Sequence, residues 1–344
     1  MNHVRVEPVG ATWSTDLSEL HKFLFDGLPV RGIVVRITHA WTDILARRAA
    51  NSQTGPYPTA VAQLLGEMLA AATLMRASIK FDGALVMQIM GDGPVRLAVA
   101  EVQSDLAMRA TATVVGTVEP DAPFGAMVNQ VSGGRCAITL DPRQARPGQQ
   151  AYQGVVPLVG DDGRRLDKLS DALQHYMRQS EQLDTTLVLA SDERLAAGLL
   201  IQRLPAQGGA KLEAAGAHAD SERAGGSEDY ERIATLAASL TRAELLSLGV
   251  DAILHRLFWQ EDLLRFAPQP DDARPHFACS CSRTKVGAMI ASLGEREAAS
   301  ILAERGDIEV GCEFCGMQYR FDAIDTAQLF RPVSQTPGAG SGAH

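Results

Sequence analysis

Cys279-Ser280-Cys281 and Cys312-Glu313-Phe314-Cys315 gather four of the chain's five cysteines near its C-terminal end. This arrangement constrains that end more than any hydrophobic pattern does. A CxxC pair on a tight turn points both sulfurs at one spot, and Gly316 directly after it suits a backbone kink. Two such pairs can close a tetrahedral site, with thiolates at about 2.3 Å from a zinc ion and no position left for water. A closed site argues against zinc hydrolysis or deamination. The surrounding residues make a sparse core. Zinc ligation, on the order of 10–16 kcal/mol in small zinc-folded peptides, is therefore expected to decide whether the segment folds.

The CxC half adds a second chemistry. A disulfide between Cys279 and Cys281 closes a very small ring, whose strain makes the bond easy to reduce again. A metal holds the same sulfurs as thiolates, the reactive form. The four cysteines thus read as a metal site, as a redox switch, or as both in alternation, because oxidation removes the ligands. His276, three residues before Cys279, is an alternative to one sulfur, and four unliganded cysteines are the remaining possibility.

The rest of the 344-residue chain is ordinary for a globular protein, with 46% hydrophobic and 21% charged residues. No apolar run approaches the roughly 20 residues that span a bilayer. The N-terminus lacks the apolar stretch of a signal peptide. A cytoplasmic protein is the expectation, and in a reducing cytosol clustered cysteines serve metals or redox chemistry rather than structural disulfides. The net charge of −9 speaks against a generic nucleic-acid binder.

The pattern along the chain predicts an α+β fold: an N-terminal mixed α/β domain, a helical linker and a small C-terminal zinc-binding domain. Phe23–Phe25 and Val30–Arg36, split by Gly and Pro, predict paired strands. Trp41–Arg48 is a short helical signal. Pro58 suits a first helical turn, and Val61, Leu64, Leu65, Met68, Leu69, Ala72 and Met75 follow at helical spacing. Ala84–Met90 and Val95–Val102 read as strands around the turn Gly91-Asp92-Gly93-Pro94, with Ala112–Val118 and Cys136–Leu140 as further strands. The α+β core is expected over 1–227, with a flexible Gly/Ala-rich loop at 206–227. A helical linker at 228–267 follows, in which Thr241-Arg242-Ala243-Glu244 fits a capping box. Its apolar stripe runs from Leu245 through Ile253, Leu254, Leu257 and Phe258 to Leu264, and Pro268, Pro270 and Pro275 end it. The zinc-binding domain is expected over 268–332, with Met289, Ile290, Leu293, Ile301 and Leu302 as apolar contacts and short strands at Ile308–Val310 and Tyr319–Phe321. A disordered tail is expected over 333–344.

These cysteines, with Cys-Ser-Arg at 281–283 and Cys-Glu-Phe-Cys at 312–315, resemble the zinc motif of the bacterial redox-regulated heat-shock holdases of thirty-three kilodaltons. The likeness extends through Leu64-Leu65-Gly66-Glu67, Gly91-Asp92-Gly93-Pro94, Tyr152-Gln153-Gly154-Val155-Val156, Gln179-Ser180-Glu181-Gln182, Ala196-Ala197-Gly198-Leu199-Leu200 and Leu254-His255-Arg256-Leu257-Phe258, in the expected order. It departs from the usual pattern at Gly316, at Met177 and in the extra Cys136. The resemblance implies an ATP-independent chaperone that binds unfolding and oxidatively damaged proteins. Reduced, with one zinc on Cys279, Cys281, Cys312 and Cys315, it would be inactive. Peroxide with heat, or hypochlorous acid, would form Cys279–Cys281 and Cys312–Cys315 disulfides, expel zinc, unfold the zinc domain and linker, and yield an active homodimer. No enzymatic activity, nucleic acid or membrane is implied.

Other features read plainly. Gly91-Asp92-Gly93-Pro94 lacks the Lys-Ser/Thr of a phosphate loop, and no GxxxxGK[ST] occurs anywhere. No Ser/His/Asp or paired-carboxylate arrangement stands out, so no catalytic residues are expected. Cys136, in an apolar strand, reads as a small hydrophobe. Two rival functions remain: a zinc ribbon that binds nucleic acid, which the negative charge and CxC spacing oppose, and a thiol oxidoreductase, which needs a thioredoxin-like fold around Cys312–Cys315.

Overall fold

The computed structural model describes residues 18–144, 151–205, 219–267 and 274–331. The chain divides into two compact units, Met1–Ala278 and Cys279–His344.

The first unit is built on two sheets and a buried helix. β1 (Glu19–Phe25) and β2 (Val30–Ile37) form the expected antiparallel pair, followed by α1 (His39–Ala50) and α2 (Thr59–Ser78). β3 (Gly83–Met90), β4 (Val95–Val102) and β5 (Ala107–Val114) make a meander, then come α3 (Phe124–Val128), β6 (Arg135–Pro142), β7 (Tyr152–Pro157) and α4 (Leu169–Ser180). β8 (Thr185–Ser191), β9 (Ala196–Arg203), α5 (Ala219–Ala238), α6 (Arg242–Ser247), α7 (Val250–Phe258), β10 (Leu263–Arg265) and β11 (His276–Phe277) complete the unit. One sheet has the order β10-β1-β2-β9-β8 and the other β11-β5-β4-β3-β6-β7.

Helix α2 is apolar on nearly every side, and Leu64, Leu65, Met68, Leu69 and Leu74 are all buried. A helix with that pattern needs cover all round, and it packs against strands of both sheets. Alternation along the five-stranded sheet then sorts its side chains. Leu20, Ile33, Val35, Ile37 and Leu200 join the core around α2. Phe23, Phe25, Val34, Leu199 and Ile201 join a second core with Tyr230, Ile233, Leu245, Ile253, Leu257 and Phe258 from α5–α7. With both faces covered, β9 reads as the continuous apolar run typical of doubly buried strands. Gly32 is required where Phe23 lies flat across its cross-strand partner: a Cβ there would come within 2.0 Å of the ring.

Several expectations are corrected. The strand expected at Ala112–Val118 runs from Ala107 to Val114, because pairing with β4 sets its register and Val115 beyond it is exposed. Residues 206–218 lie outside the described residues, but 219–227, expected as loop, begin α5. Helix extension adds one bond per residue once a turn is anchored, and Tyr230, Ile233 and Ala237 anchor this one. The helical stripe does not continue to Leu264. α7 ends at Phe258, and Leu263–Arg265 pairs with β1 as an edge strand; three residues are too few for periodicity to separate strand from helix. Within 228–267, helices α5–α7 pack as a layer on the first sheet and β10 joins its edge. Residues 274–278 belong to the first unit, where β11 pairs in parallel with β5 and Phe277 packs on the main core beneath the Arg47 guanidinium, 4.4 Å from the ring centroid. The second unit therefore starts at Cys279 and not at 268. Residues 268–273 and 333–344 lie outside the described residues.

The second unit comprises α8 (Arg283–Leu293), α9 (Glu295–Arg305), the hairpin β12 (Ile308–Gly311) and β13 (Gln318–Phe321), and α10 (Ala323–Leu329). Ile290, Ala298, Ile308 and Phe321 form its buried cluster. Ile301 and Leu302 pack against that cluster as expected. Met289 and Leu293 do not, being 47% and 52% exposed, because α8 turns them outward.

Candidate metal centre

Each thiol is placed by its local backbone. β12 delivers the chain to Cys312, whose N–H donates to Met317 O at 2.9 Å, while Gly316 N–H donates to Cys312 O at 2.8 Å. Gly316 sits at φ +73°, the left-handed region where a Cβ costs energy, so glycine lets the CxxC turn close. On the other side, Cys279 and Cys281 lie in the irregular stretch directly ahead of α8. Ser282 caps α8, its Oγ accepting Lys285 N–H at 3.2 Å. Arg283, next in sequence, braces this stretch. Its Nη1 donates to Arg320 O at 2.7 Å and its Nη2 reaches Asp325 at 2.6 Å. Its guanidinium also covers the Phe321 ring at 4.3 Å.

These elements bring the four sulfurs together. All lie within 4.8 Å of one another, and the four residues are partly buried. Cys279 Sγ is 3.7 Å from Cys312 Sγ, and Cys281 Sγ is 3.3 Å from Cys315 Sγ. Four sulfurs at about 2.3 Å from a common centre stand about 3.8 Å apart along a tetrahedral edge. The observed separations are close to that edge, so the donor set fits a metal ion that accepts four soft thiolates. None of the four is in a disulfide.

The thiols are not alike. Burial pushes Cys281 up, but hydrogen bonds from Tyr319 and from the neighbouring thiols outweigh it and leave this thiol lowered to about 7. Burial raises Cys315 and Cys312, although N–H groups of the knuckle oppose the rise: Met317 at Cys315, and Cys315 and Phe314 at Cys312. Sulfurs this close cannot all carry charge without a cation between them, so charge collects on Cys281 ahead of Cys312 and Cys315.

The other residues singled out in the sequence fall elsewhere, among them His276, which is outside the thiol cluster with Nδ1 2.9 Å from Arg274 O. Cys136 is fully buried in β6, its thiol pushed up to about 12 by burial. Asp92 lies in a turn and accepts backbone N–H groups from Gln130, Val131 and Gly133 at 2.5, 3.2 and 2.6 Å. Sequence reasoning missed two residues of the centre. Arg283 carried a faint signal in its place after the CxC. Tyr319 was visible only as a strand residue, because nothing in a linear pattern aims its hydroxyl at Cys281.

Comparison with known proteins gives a consistent result. A family model described as Hsp33 protein matches residues 18–322. The 33 kDa chaperonin of Chromobacterium violaceum is 41% identical over 312 residues, covering 91% of this chain and 93% of that protein. The 33 kDa chaperonin of Methylobacillus flagellatus is 39% identical over 320 residues, covering 93% and 96%. Among solved structures, the 33 kDa chaperonin (heat shock protein 33 homolog) of Thermotoga maritima superposes with a TM-score of 0.66 at 19% identity, covering 90% of this chain and 97% of that one. That likeness shows the shared fold.

Proposed function

Because the chain belongs to the Hsp33 family, we propose that it is an ATP-independent chaperone controlled by the redox state of its four clustered thiols. The observation that carries the reading is the convergence of Cys279, Cys281, Cys312 and Cys315 in a unit whose buried cluster, among the described residues, is Ile290, Ala298, Ile308 and Phe321. So small a core, even with Val286, Ile301 and Leu302 packed against it, makes ligation a main support of the unit's fold.

In the reduced state Cys279, Cys281, Cys312 and Cys315 hold one ion, for which thiolate softness favours zinc. Zinc, when bound, would offset half of the charge of the four thiolates and tie Cys279-Ser280-Cys281 to the knuckle. Arg283, bonded to Arg320 O of β13, and Ser282, capping α8, hold the chain that leaves Cys281. Peroxide then oxidises each pair: the Cys279 and Cys281 sulfurs form one bond and Cys312 and Cys315 another. Each disulfide consumes one peroxide: two thiolates give up two electrons, and the peroxide takes up two protons from solvent and leaves as two waters. Sulfurs joined this way no longer serve as thiolate ligands, and the 279–331 segment loses what orders it. The layer at 228–267 then opens, and its Phe258, Leu257 and Ile253 side chains become a broad apolar surface that suits capture of unfolding proteins without shape selection. The active form is a homodimer in the cytoplasm.

The test measures zinc content and suppression of aggregation of a heat-denatured client, before and after peroxide with warming. Stoichiometric zinc with little suppression is expected in the reduced protein, and zinc loss with strong suppression after oxidation. Equal suppression in both states defeats the switch.

A further inference from the structure

We infer that Tyr319 is a positioning residue of the thiol centre, orienting Cys281 through an O–H···S hydrogen bond from outside the ligand set. This deepens the metal-binding reading above and rests on it.

The geometry separates Cys281 from the knuckle sulfurs. Cys312 and Cys315 take hydrogen bonds from backbone N–H groups of their own turn, which every sequence folding into that turn supplies. Cys281 takes a hydroxyl from β13, thirty-eight positions further along the chain: Tyr319 Oη donates to Cys281 Sγ at 3.1 Å. Tyr319 is held for this by its place in the hairpin, opposite Val310, with its ring against the small core of the unit. The ring therefore packs while the hydroxyl reaches the sulfur, so one side chain joins the fold of the hairpin to the aim of one ligand. Groups of this kind fix a ligand's orientation and stabilise its charge, and their removal costs about 10–100-fold in metal affinity.

The experiment uses the full-length reduced chain with Tyr319→Phe, which keeps the ring and removes only the oxygen, and Val310→Ala, which loosens the same hairpin and keeps the oxygen. Zinc affinity is read by competition with a chromophoric chelator, and the sulfur-to-metal charge-transfer bands are read on the cobalt-loaded protein. Tyr319→Phe is expected to bind zinc about tenfold more weakly. Its charge-transfer bands should move to longer wavelength, because a sulfur without the hydroxyl gives up electron density more readily. Val310→Ala should leave the bands in place. Wild-type affinity and bands in Tyr319→Phe overturn the inference, as does equal weakening by both variants with unmoved bands, which marks a purely structural role. A wild-type protein that binds neither metal removes the metal-site reading itself, and this assignment with it.

Discussion

Glu67 is a carboxylate held in an unfavourable place. It projects from α2 with its side chain 23% exposed, 3.1 Å from Arg242 Nη1. It borders a groove that Lys168, Asp167 and Asp171 also line. Burial raises its pKa to about 7, and the attraction of Arg242 and Lys168 only partly offsets that rise. The folded chain therefore keeps a proton on Glu67 at pH values where the unfolded chain, at the ordinary 4.5, has released it. The native state binds more protons across that window, so this residue's contribution to stability falls as pH rises from about 4.5 to about 7. Glu67→Gln lacks the titration. The stability of the wild type relative to Glu67→Gln should drop by on the order of 2 kcal/mol between pH 5 and pH 8. Guanidinium midpoints of the zinc-loaded proteins read the change, and a difference constant with pH rules it out. Nothing in the Leu64-Leu65-Gly66-Glu67 string announces this behaviour. It arises from burial in the folded chain, which the attraction of Arg242 on α6 only partly offsets, and neither can be read from the string. The cysteines stand at the other extreme: their spacing alone points to a shared site, because short CxC and CxxC loops leave the sulfurs little freedom. Tyr319 was hidden for the opposite reason, since a strand residue's reach depends on where the hairpin lies.

At the level of elements, α5–α7 hold the 228–267 layer on the first sheet through aromatic contacts. Phe258 meets Phe25 edge-on at 5.0 Å between centroids and Phe23 at 6.2 Å. Removing a buried Phe side chain costs about 3–5 kcal/mol when the cavity stays open. Phe258→Ala should therefore free the layer without touching a thiol. Reduced, zinc-loaded Phe258→Ala is expected to suppress client aggregation without oxidant, and to exchange amide hydrogens faster across residues 230–265, as the oxidised wild type should. Unchanged exchange there in the oxidised wild type would show that this layer is not the part that opens. The stripe of Leu and Phe was legible beforehand because helical spacing marks a buried face. Its partner was not, since periodicity says that a face is covered without saying by what. The same limit explains β10 and β11: strands of three and two residues carry no period, and edge pairing with β1 and β5 creates them.

Across the whole molecule, the two units draw on different sources of stability. The first has two sheets around a buried helix and a second core on its outer face, so apolar burial alone can sustain it. The second has a smaller buried cluster of Ile290, Ala298, Ile308 and Phe321, and on the proposed reading it relies on ligation of its four thiols. Heating the reduced, zinc-loaded protein should then give two calorimetric transitions. Mass action ties only one of them to metal: each tenfold rise in free zinc above the dissociation constant adds about 1.4 kcal/mol to that unit. A strong chelator should abolish that transition and remove hydrogen-exchange protection from α8, α9 and α10, while β2, β3, β4 and β9 stay protected. A single transition that ignores both zinc and chelator would mean that the second unit stands on its packing, and the thiols could then be oxidised without opening anything.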